Sequence, residues 1–198
     1  MEYLLHILIL VAIFSVLAVS LDLLVGQTGL LSLAHGAFFG LGAYSAALLG
    51  IRLGVPFPVS LLVAVGVGAI ASLPVSFPSL RLHGDYFVIC TFGFQLIVSA
   101  LLNNWMELTR GPLGLPGVPP PSLFGWSVQS RGGFFALAAS LAVLAHFVIW
   151  RISSSPFGRV LRAIREDEPF AQALGKDTLR FKVTAFAVCG AEIGRAHV

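Results

Sequence analysis

The sequence predicts an all-α polytopic membrane protein with five transmembrane helices and the start of a sixth. Hydrophobic residues make up 57% of the 198 residues, while charged residues make up only 11%. A soluble domain carries about 25% charged residues, and the mean hydropathy of this chain is +0.93. Charged residues also separate long apolar stretches, each of which is long enough as a helix to cross about 30 Å of hydrocarbon.

The apolar stretches between these charges give the predicted spans in order. The first stretch lies between Glu2 and Asp22, the second ends near Arg52, and the fourth lies between Asp85 and Glu107. The predicted helices are 3–23, 30–49, 58–77, 85–103 and 133–151, with a sixth that begins at Val183.

The end of the sequence departs from this pattern. Residues 192–198 include Glu192, Arg195 and His197, which interrupt the sixth span soon after it begins. We therefore expect this tail to be non-native, residues 1–191 to form one transmembrane domain, and the chain to be a fragment of a longer protein.

The distribution of charge predicts which loops face the cytoplasm. Residues 151–182, called the basic segment below, hold seven of the twelve Lys and Arg residues. Basic residues beside apolar spans resist translocation, so this segment is predicted to be cytoplasmic and 104–132 external. Arg81 and His83 agree, while three arginines elsewhere oppose the assignment and are outnumbered. The net charge of +3 therefore indicates orientation and not nucleic-acid binding.

Both loops have sequences typical of folded segments. Five prolines and five glycines in 104–132 exclude a continuous helix and favour an ordered external cap or docking loop. In the basic segment, Ser155 and Pro156 suit the N-cap and first position of one helix, and Pro169–Leu174 suits a second that stops at Gly175. These helices could lie on anionic lipid head groups or dock a cytoplasmic partner.

The second predicted span is rich in glycine. Small residues let helix backbones approach closely in lipid, so we expect these glycines at helix contacts. They are Gly26, Gly29, Gly36, Gly40 and Gly42. Ser32 and His35 are predicted to share one side of this helix. They suit either a hydrogen-bonded packing pair or the wall of a polar cavity, since unpaired polar groups are costly in hydrocarbon.

The fourth predicted span carries a polar stripe. Thr91, Gln95 and Ser99 recur at four-residue spacing, which places them on one helix face. Such a stripe serves either hydrogen bonds between helices or a lined pathway. Ser32, His35, Thr91 and Gln95 are therefore the candidate translocation-pathway residues.

Several kinds of catalytic chemistry have no signature in the sequence. The motifs GxxxxGK[ST], HExxH and GxSxG are missing, and no carboxylate pair lies within a span. Cys90 and Cys189 sit in apolar stretches and are predicted to be packing residues without a disulfide or metal. We expect no catalytic residue and no cofactor, so any hydrolysis of ATP that drives transport belongs to another polypeptide.

Four stretches together resemble the permease subunits of branched-chain amino-acid ABC importers, specifically the M-type subunit. The similarity covers about 20–191 in the right order and is specific as a set. The stretches are LLVG at 23–26 with LSLAHGAFFGLGAY at 31–44, RLHGDY at 81–86, LTRGPLGL at 108–115, and SPFGR at 155–159 continuing through RAIREDE at 162–168 to ALG at 173–175. Asp22, Leu30 and Pro169 depart from the residues common in that family.

The resemblance implies a set of partners for a non-catalytic transport subunit. These are a second related permease, two cytoplasmic ABC ATPases, an external substrate-binding protein, and the lipid bilayer of a bacterial or archaeal cytoplasmic membrane. It also implies that 151–182 couples to an ATPase and that 104–132 faces the binding protein. The implied substrates are branched-chain amino acids, with urea or short amides as an alternative. A self-contained channel or secondary carrier is the alternative class.

The coupling residues follow from that assignment. Phe170 and Leu174 are predicted to enter a groove on the ATPase, and Gly175 to direct the chain out of the second helix. Charged residues are predicted to form the rim of the contact, where they contribute less than apolar anchors. They are Arg162, Arg165, Glu166 and Glu168, and Arg159 is a further predicted coupling residue.

Overall fold

Nine α-helices are found in the part of the chain that the computed structural model describes, which is residues 2–79, 82, 84–123, 126, 127 and 130–194. They are α1 (Glu2–Thr28), α2 (His35–Leu53), α3 (Phe57–Ser79), α4 (Asp85–Asn104), α5 (Met106–Thr109), α6 (Arg131–Ser153), α7 (Pro156–Glu166), α8 (Glu168–Ala173) and α9 (Thr178–Gly194). A 3-10 turn (Gly111–Leu113) and two short antiparallel strands, β1 (Ser122–Leu123) and β2 (Trp126–Ser127), lie between α5 and α6.

The predicted all-α membrane fold is confirmed. Within the described residues, five helices are long and apolar enough to cross a membrane, and each overlaps one predicted span. They are Tyr3–Thr28, His35–Leu53, Phe57–Phe77, Asp85–Asn104 and Arg131–Ser153. Large apolar side chains such as Leu62, Ile70 and Ile97 are about two-thirds exposed on their outer faces, as expected for surfaces that meet lipid.

The predicted start of the second span at residue 30 is wrong, because α2 begins at His35. Gly29 has a φ of +72° and leads into residues 30–34, which are not helical. The hydroxyl of Ser32 accepts a hydrogen bond from the Ala34 N–H at 3.2 Å, which holds this segment away from helical geometry. Ser32 and His35 therefore do not share a helix face as predicted.

The first and sixth predicted spans also have different bounds. α1 continues to Thr28, so Asp22 lies inside the helix, where its carboxylate covers Gly26. α9 begins at Thr178, before the predicted Val183, because the Asp177 carboxylate accepts from the Arg180 N–H at 3.2 Å and caps the helix. It continues through Glu192, which is buried, to Gly194.

The helices place two groups of loops at opposite ends of the bundle. At one end, the last turn of α1 contacts α7 through Gln27 and Arg162. At the other end, the Arg52 guanidinium donates to the Glu107 carbonyl at 3.1 Å. α6, of 23 residues, connects the two ends. The basic segment and the loop at Glu107 therefore lie at opposite ends, as their predicted placement on opposite sides of the membrane requires. Arg81 and His83 lie outside the described residues.

The closest helix contact joins α3 to α9. A Cβ added to Gly190 would lie 2.5 Å from the Gly68 carbonyl oxygen, and one added to Gly194 would meet the Ala64 carbonyl. The backbones therefore touch, as small residues allow in membrane helices. We call this contact the glycine seam.

Aromatic side chains fill the core beside the seam. Phe38 of α2 and Phe87 of α4 both pack edge-on against Phe186 of α9, with ring centroids 5.7 and 6.2 Å apart. Cys189 is buried, as predicted for a packing residue, and its thiol donates to the Ser20 carbonyl at 3.2 Å. The core thus joins α1, α2, α4 and α9.

Candidate functional site

The polar stripe of α4 meets the non-helical segment before α2. The Thr91 hydroxyl accepts a hydrogen bond from the Leu33 N–H at 3.2 Å and donates to the Val88 carbonyl at 2.9 Å. Thr91 is completely buried. Its hydroxyl therefore satisfies a backbone group that irregular structure would otherwise leave unpaired in the membrane.

His35 and Gln95 lie next to this contact and have unpaired polar atoms. Both ring nitrogens of His35 and the Oε1 of Gln95 are buried without a hydrogen-bond partner anywhere in the described residues. A Cβ added to Gly36 would lie 2.7 Å from the Gln95 side-chain nitrogen. Glycine at position 36 therefore makes room for the amide beside the start of α2.

The pathway site, defined here as Ser32, His35, Thr91 and Gln95, has unused hydrogen-bonding capacity. The first N–H groups of a helix lack intrahelical acceptors, and Ala34, the N-cap of α2, provides no side-chain cap. The imidazole of His35 offers one donor and one acceptor, and Gln95 offers an acceptor. Leaving such groups unsatisfied costs about 1–3 kcal/mol each, so water or a polar solute is expected to bond them.

Ser32 and Thr91 have different roles in this site from His35 and Gln95. The hydroxyls of Ser32 and Thr91 bind backbone N–H groups and shape the segment between α1 and α2. The side chains of His35 and Gln95 hold the unpaired atoms. The spacing of Thr91 and Gln95 in the sequence predicted that they share a helix face. No sequence pattern predicted the hydrogen bond between the Leu33 N–H and Thr91.

The other predicted glycines fall into two groups. Gly40 faces α4, where an added Cβ would lie 2.9 Å from a methyl of Leu102, and Gly42 is buried in α2. Gly26 and Gly29 do not face a membrane helix. A Cβ added to Gly29 would lie 3.1 Å from the side chain of Arg165 in α7.

The basic segment folds as two capped helices. Ser155 caps α7 by accepting from the Gly158 N–H at 3.4 Å, and Leu161 and Ile164 are buried on one face. α8 begins at Glu168 and not at the predicted Pro169, because the Asp167 carboxylate accepts from the Phe170 N–H at 2.9 Å.

Three of the predicted rim residues bind other parts of this chain. Arg162 donates to the Gln27 side chain at 2.7 Å and to the Ser153 carbonyl at 3.0 Å. Arg165 donates to the Gly26 carbonyl. Glu168 forms an ion pair of 2.6 Å with Lys182, which is largely buried at the start of α9. These contacts fix α7 and α8 against α1 and α9.

The apolar residues predicted to meet a partner are exposed. Phe170 is 61% and Leu174 is 64% exposed, while Ala171 between them is buried against the bundle. Arg159 and Glu166 are also exposed. Gly175 ends the helix with a φ of +76°, which agrees with the predicted left-handed turn.

Five membrane-length helices in the described part of the chain, with an anchored helix pair at one end, define a multi-pass membrane protein. Residues 3–193 match the family described as branched-chain amino acid transport system / permease component. The chain belongs to this family.

Curated relatives agree with this membership. The chain is 39% identical to the high-affinity branched-chain amino acid transport system permease protein LivM of Salmonella typhimurium, over 93% of the chain and 49% of the relative. It is 40% identical to LivM of Escherichia coli over the same shares, and 33% identical to a probable LivM of Methanocaldococcus jannaschii, over 65% of the chain and 35% of the relative. The chain thus spans about half the length of the LivM proteins of Salmonella typhimurium and Escherichia coli. No solved structure gives a significant match.

Proposed function

We propose that the chain forms part of the translocation pathway of an ATP-binding-cassette importer for branched-chain amino acids. A second related permease completes the pathway, two cytoplasmic ATPases drive it, and an external binding protein delivers the substrate. The assembly resides in the cytoplasmic membrane of a bacterium or archaeon. The family match and the LivM relatives support the permease role.

The observation that carries the ATPase partnership is the exposure of Phe170 and Leu174 on an anchored helix. Two large apolar side chains on a capped helix that faces water are costly unless another surface covers them. A loop lying on lipid head groups needs neither the Asp167 cap nor the ion pair between Glu168 and Lys182. Both features hold α8 in one orientation, as docking requires.

The same helices connect the docking surface to the pathway site. Arg165 holds the end of α1 at Gly26, and its side chain packs against Gly29. The chain then passes directly into residues 30–34 and the hydrogen bond between Leu33 and Thr91. If the ATPase displaced α7, the end of α1 and residues 30–34 would therefore move with it. These residues lie directly beside His35.

The function is tested by reconstituting the complete permease that contains this chain with its second permease, ATPases and binding protein in proteoliposomes. We expect uptake of leucine, isoleucine and valine that requires ATP and the binding protein. Uptake without ATP would support the alternative class of channel or secondary carrier. ATP-driven uptake of urea or short amides, with no uptake of leucine, would change the substrate class alone.

The ATPase partnership is tested by Phe170→Ala in the same system. Truncating an apolar anchor at an interface costs more than about 2 kcal/mol, so uptake is expected to fall by more than tenfold while the permease remains folded. Phe147→Ala on α6, which removes an aromatic ring of similar exposure (57%), serves as the matched control. Equal uptake by both variants would show that α8 is not a docking surface.

A further inference from the structure

A cavity of about 480 Å³ lies at the end of the bundle opposite α7 and α8. Its walls come from the second half of α2, the start of α3, the prolines at 119–121 and Phe134 of α6. This volume falls within the usual range for small-molecule sites, which are mostly apolar with a few polar groups. None of its lining residues belongs to the pathway site.

Small residues of α2 keep this space open. Ala43, Ala46, Ala47 and Gly50 face the cavity along one side of the helix. A Cβ added to Gly50 would lie 3.3 Å from Pro119, so the rigid proline segment rests directly on α2. The proline segment therefore covers the cavity on one side, and the α2 wall has no side chain long enough to fill it.

One buried hydroxyl in the cavity has no hydrogen-bond partner among the residues described. Ser60 of α3 is 5% exposed, lines the cavity, and its Oγ is unpaired. Five other helix serines among the described residues bond to a carbonyl three residues earlier. The distances are 2.7 Å for Ser15, Ser45 and Ser140, 2.6 Å for Ser72, and 3.1 Å for Ser76.

Ser60 lies in the first turn of α3, and the carbonyl three residues before it belongs to Phe57. The Ser60 hydroxyl does not bond that carbonyl. The hydroxyl is thus left facing an apolar space. A bound molecule that pairs with it must present a hydrogen-bonding group at one end and an aliphatic body at the other.

We propose that this cavity is an entry site that binds the aliphatic side chain of the transported amino acid, with its polar end at Ser60. This inference rests on the proposed function and adds a second substrate site, separate from His35 and Gln95. A lipid acyl chain would fill the apolar walls but would leave the hydroxyl unpaired, so the observations favour the amino acid.

Two substitutions test the site in the reconstituted assembly. Ala47→Phe fills the cavity, and at low substrate we expect ATP-driven leucine uptake to fall about tenfold or more while alanine uptake changes less. Ser60→Ala is expected to raise the KM for leucine roughly threefold to tenfold through the lost hydrogen bond. Leu62→Phe, at a position 70% exposed on α3, and Ser45→Ala, whose hydroxyl is already bonded, are the matched controls.

A direct binding measurement accompanies uptake. In an Ala47→Cys variant, leucine is expected to protect the thiol from a small methanethiosulfonate reagent, whereas decanoate at the same concentration is not. Protection by decanoate alone would identify an acyl-chain site and overturn the proposal. Leucine uptake by the wild type with no effect of either substitution would also overturn it, while leaving the transport function in place. A wild type without ATP-driven leucine uptake would instead overturn the proposed function.

Discussion

Arg165 donates a hydrogen bond to the carbonyl oxygen of Gly26, and so ties α7 to the end of the first membrane helix. The contact joins α7 to the turn at Gly29, where the backbone enters its left-handed conformation. A carbonyl near a helix C-terminus carries partial negative charge, which favours a cation at this point. This pair therefore contributes to the internal architecture of the permease, in addition to any role at a partner surface.

Arg165→Met is predicted to loosen the α1–α2 connection even without an ATPase present. Hydrogen exchange of residues 26–34 in the isolated permease should rise by an amount equivalent to about 1 kcal/mol, since the contact is partly solvated. Arg159→Met is the control, because Arg159 is exposed and lies on the same helix. Equal exchange in both variants would show that the guanidinium acts only at a partner surface.

His35→Leu is predicted to separate folding from transport. The ring nitrogens have no partner in the described part of the chain, so leucine removes no bond and thermal stability should be unchanged or slightly higher. Transport should fall at least tenfold if the imidazole bonds the passing solute. His146→Leu on α6 removes an exposed imidazole and should leave transport unchanged. Full transport by His35→Leu would assign His35 to packing.

Gly68→Ala is predicted to disrupt the seam between α3 and α9. The added methyl would overlap the backbone of Gly190, which cannot rotate away, so a loss of about 1–3 kcal/mol is expected in detergent unfolding. Gly66→Ala makes the same change two positions earlier, where no atom lies within 4 Å of the added Cβ. Similar stability of the two variants would mean that α9 does not pack as described.

Gly175→Val is predicted to impair uptake, whereas Gly175→Asn is not. No atom lies within 4 Å of an added Cβ, so the penalty comes only from the left-handed backbone, at about 1–2 kcal/mol for a β-branched residue. Asparagine tolerates that conformation. Initial rates of ATP-driven uptake at matched abundance distinguish the variants, and equal impairment by both would point to a direct contact at position 175.

Labelling of single cysteines tests the orientation. Leu113→Cys, at a position 85% exposed, should react with an impermeant maleimide added outside intact cells, and Lys176→Cys should react only after permeabilisation. Cys90 is replaced in both variants, while Cys189 is buried and can remain. The opposite pattern would reverse the topology, although the two loop groups would still lie at opposite ends.

The spans were predictable from the sequence because hydrocarbon thickness sets their length and charges bound them. Their ends were less predictable. The hydroxyl of Ser32 and the carboxylates of Asp167 and Asp177 decide where α2, α8 and α9 begin. Each of these three side chains makes one local hydrogen bond. The pattern of apolar residues in the sequence does not indicate such bonds.

Helix pairing was not predictable from a single sequence in the same way. The sequence predicted close helix contacts at the glycines of the second span, whereas the seam uses Gly68, Gly190 and Gly194 of α3 and α9. The contacts of Arg162 and Arg165 with the end of α1 join residues far apart in the chain. The sequence of a helix does not show whether a surface arginine contacts another part of the same chain or a partner protein.

The two helices of the glycine seam, α3 and α9, are synthesised at different times. α3 enters the bilayer while α9 is still unsynthesised, and at roughly 5–20 residues per second the delay lasts several seconds or more. During that interval Gly68 is exposed to lipid. Another helix with small residues on one face could then pack against α3. Arrival of Gly190 and Gly194 removes this opportunity, so α9 is the helix that covers the small-residue face of α3.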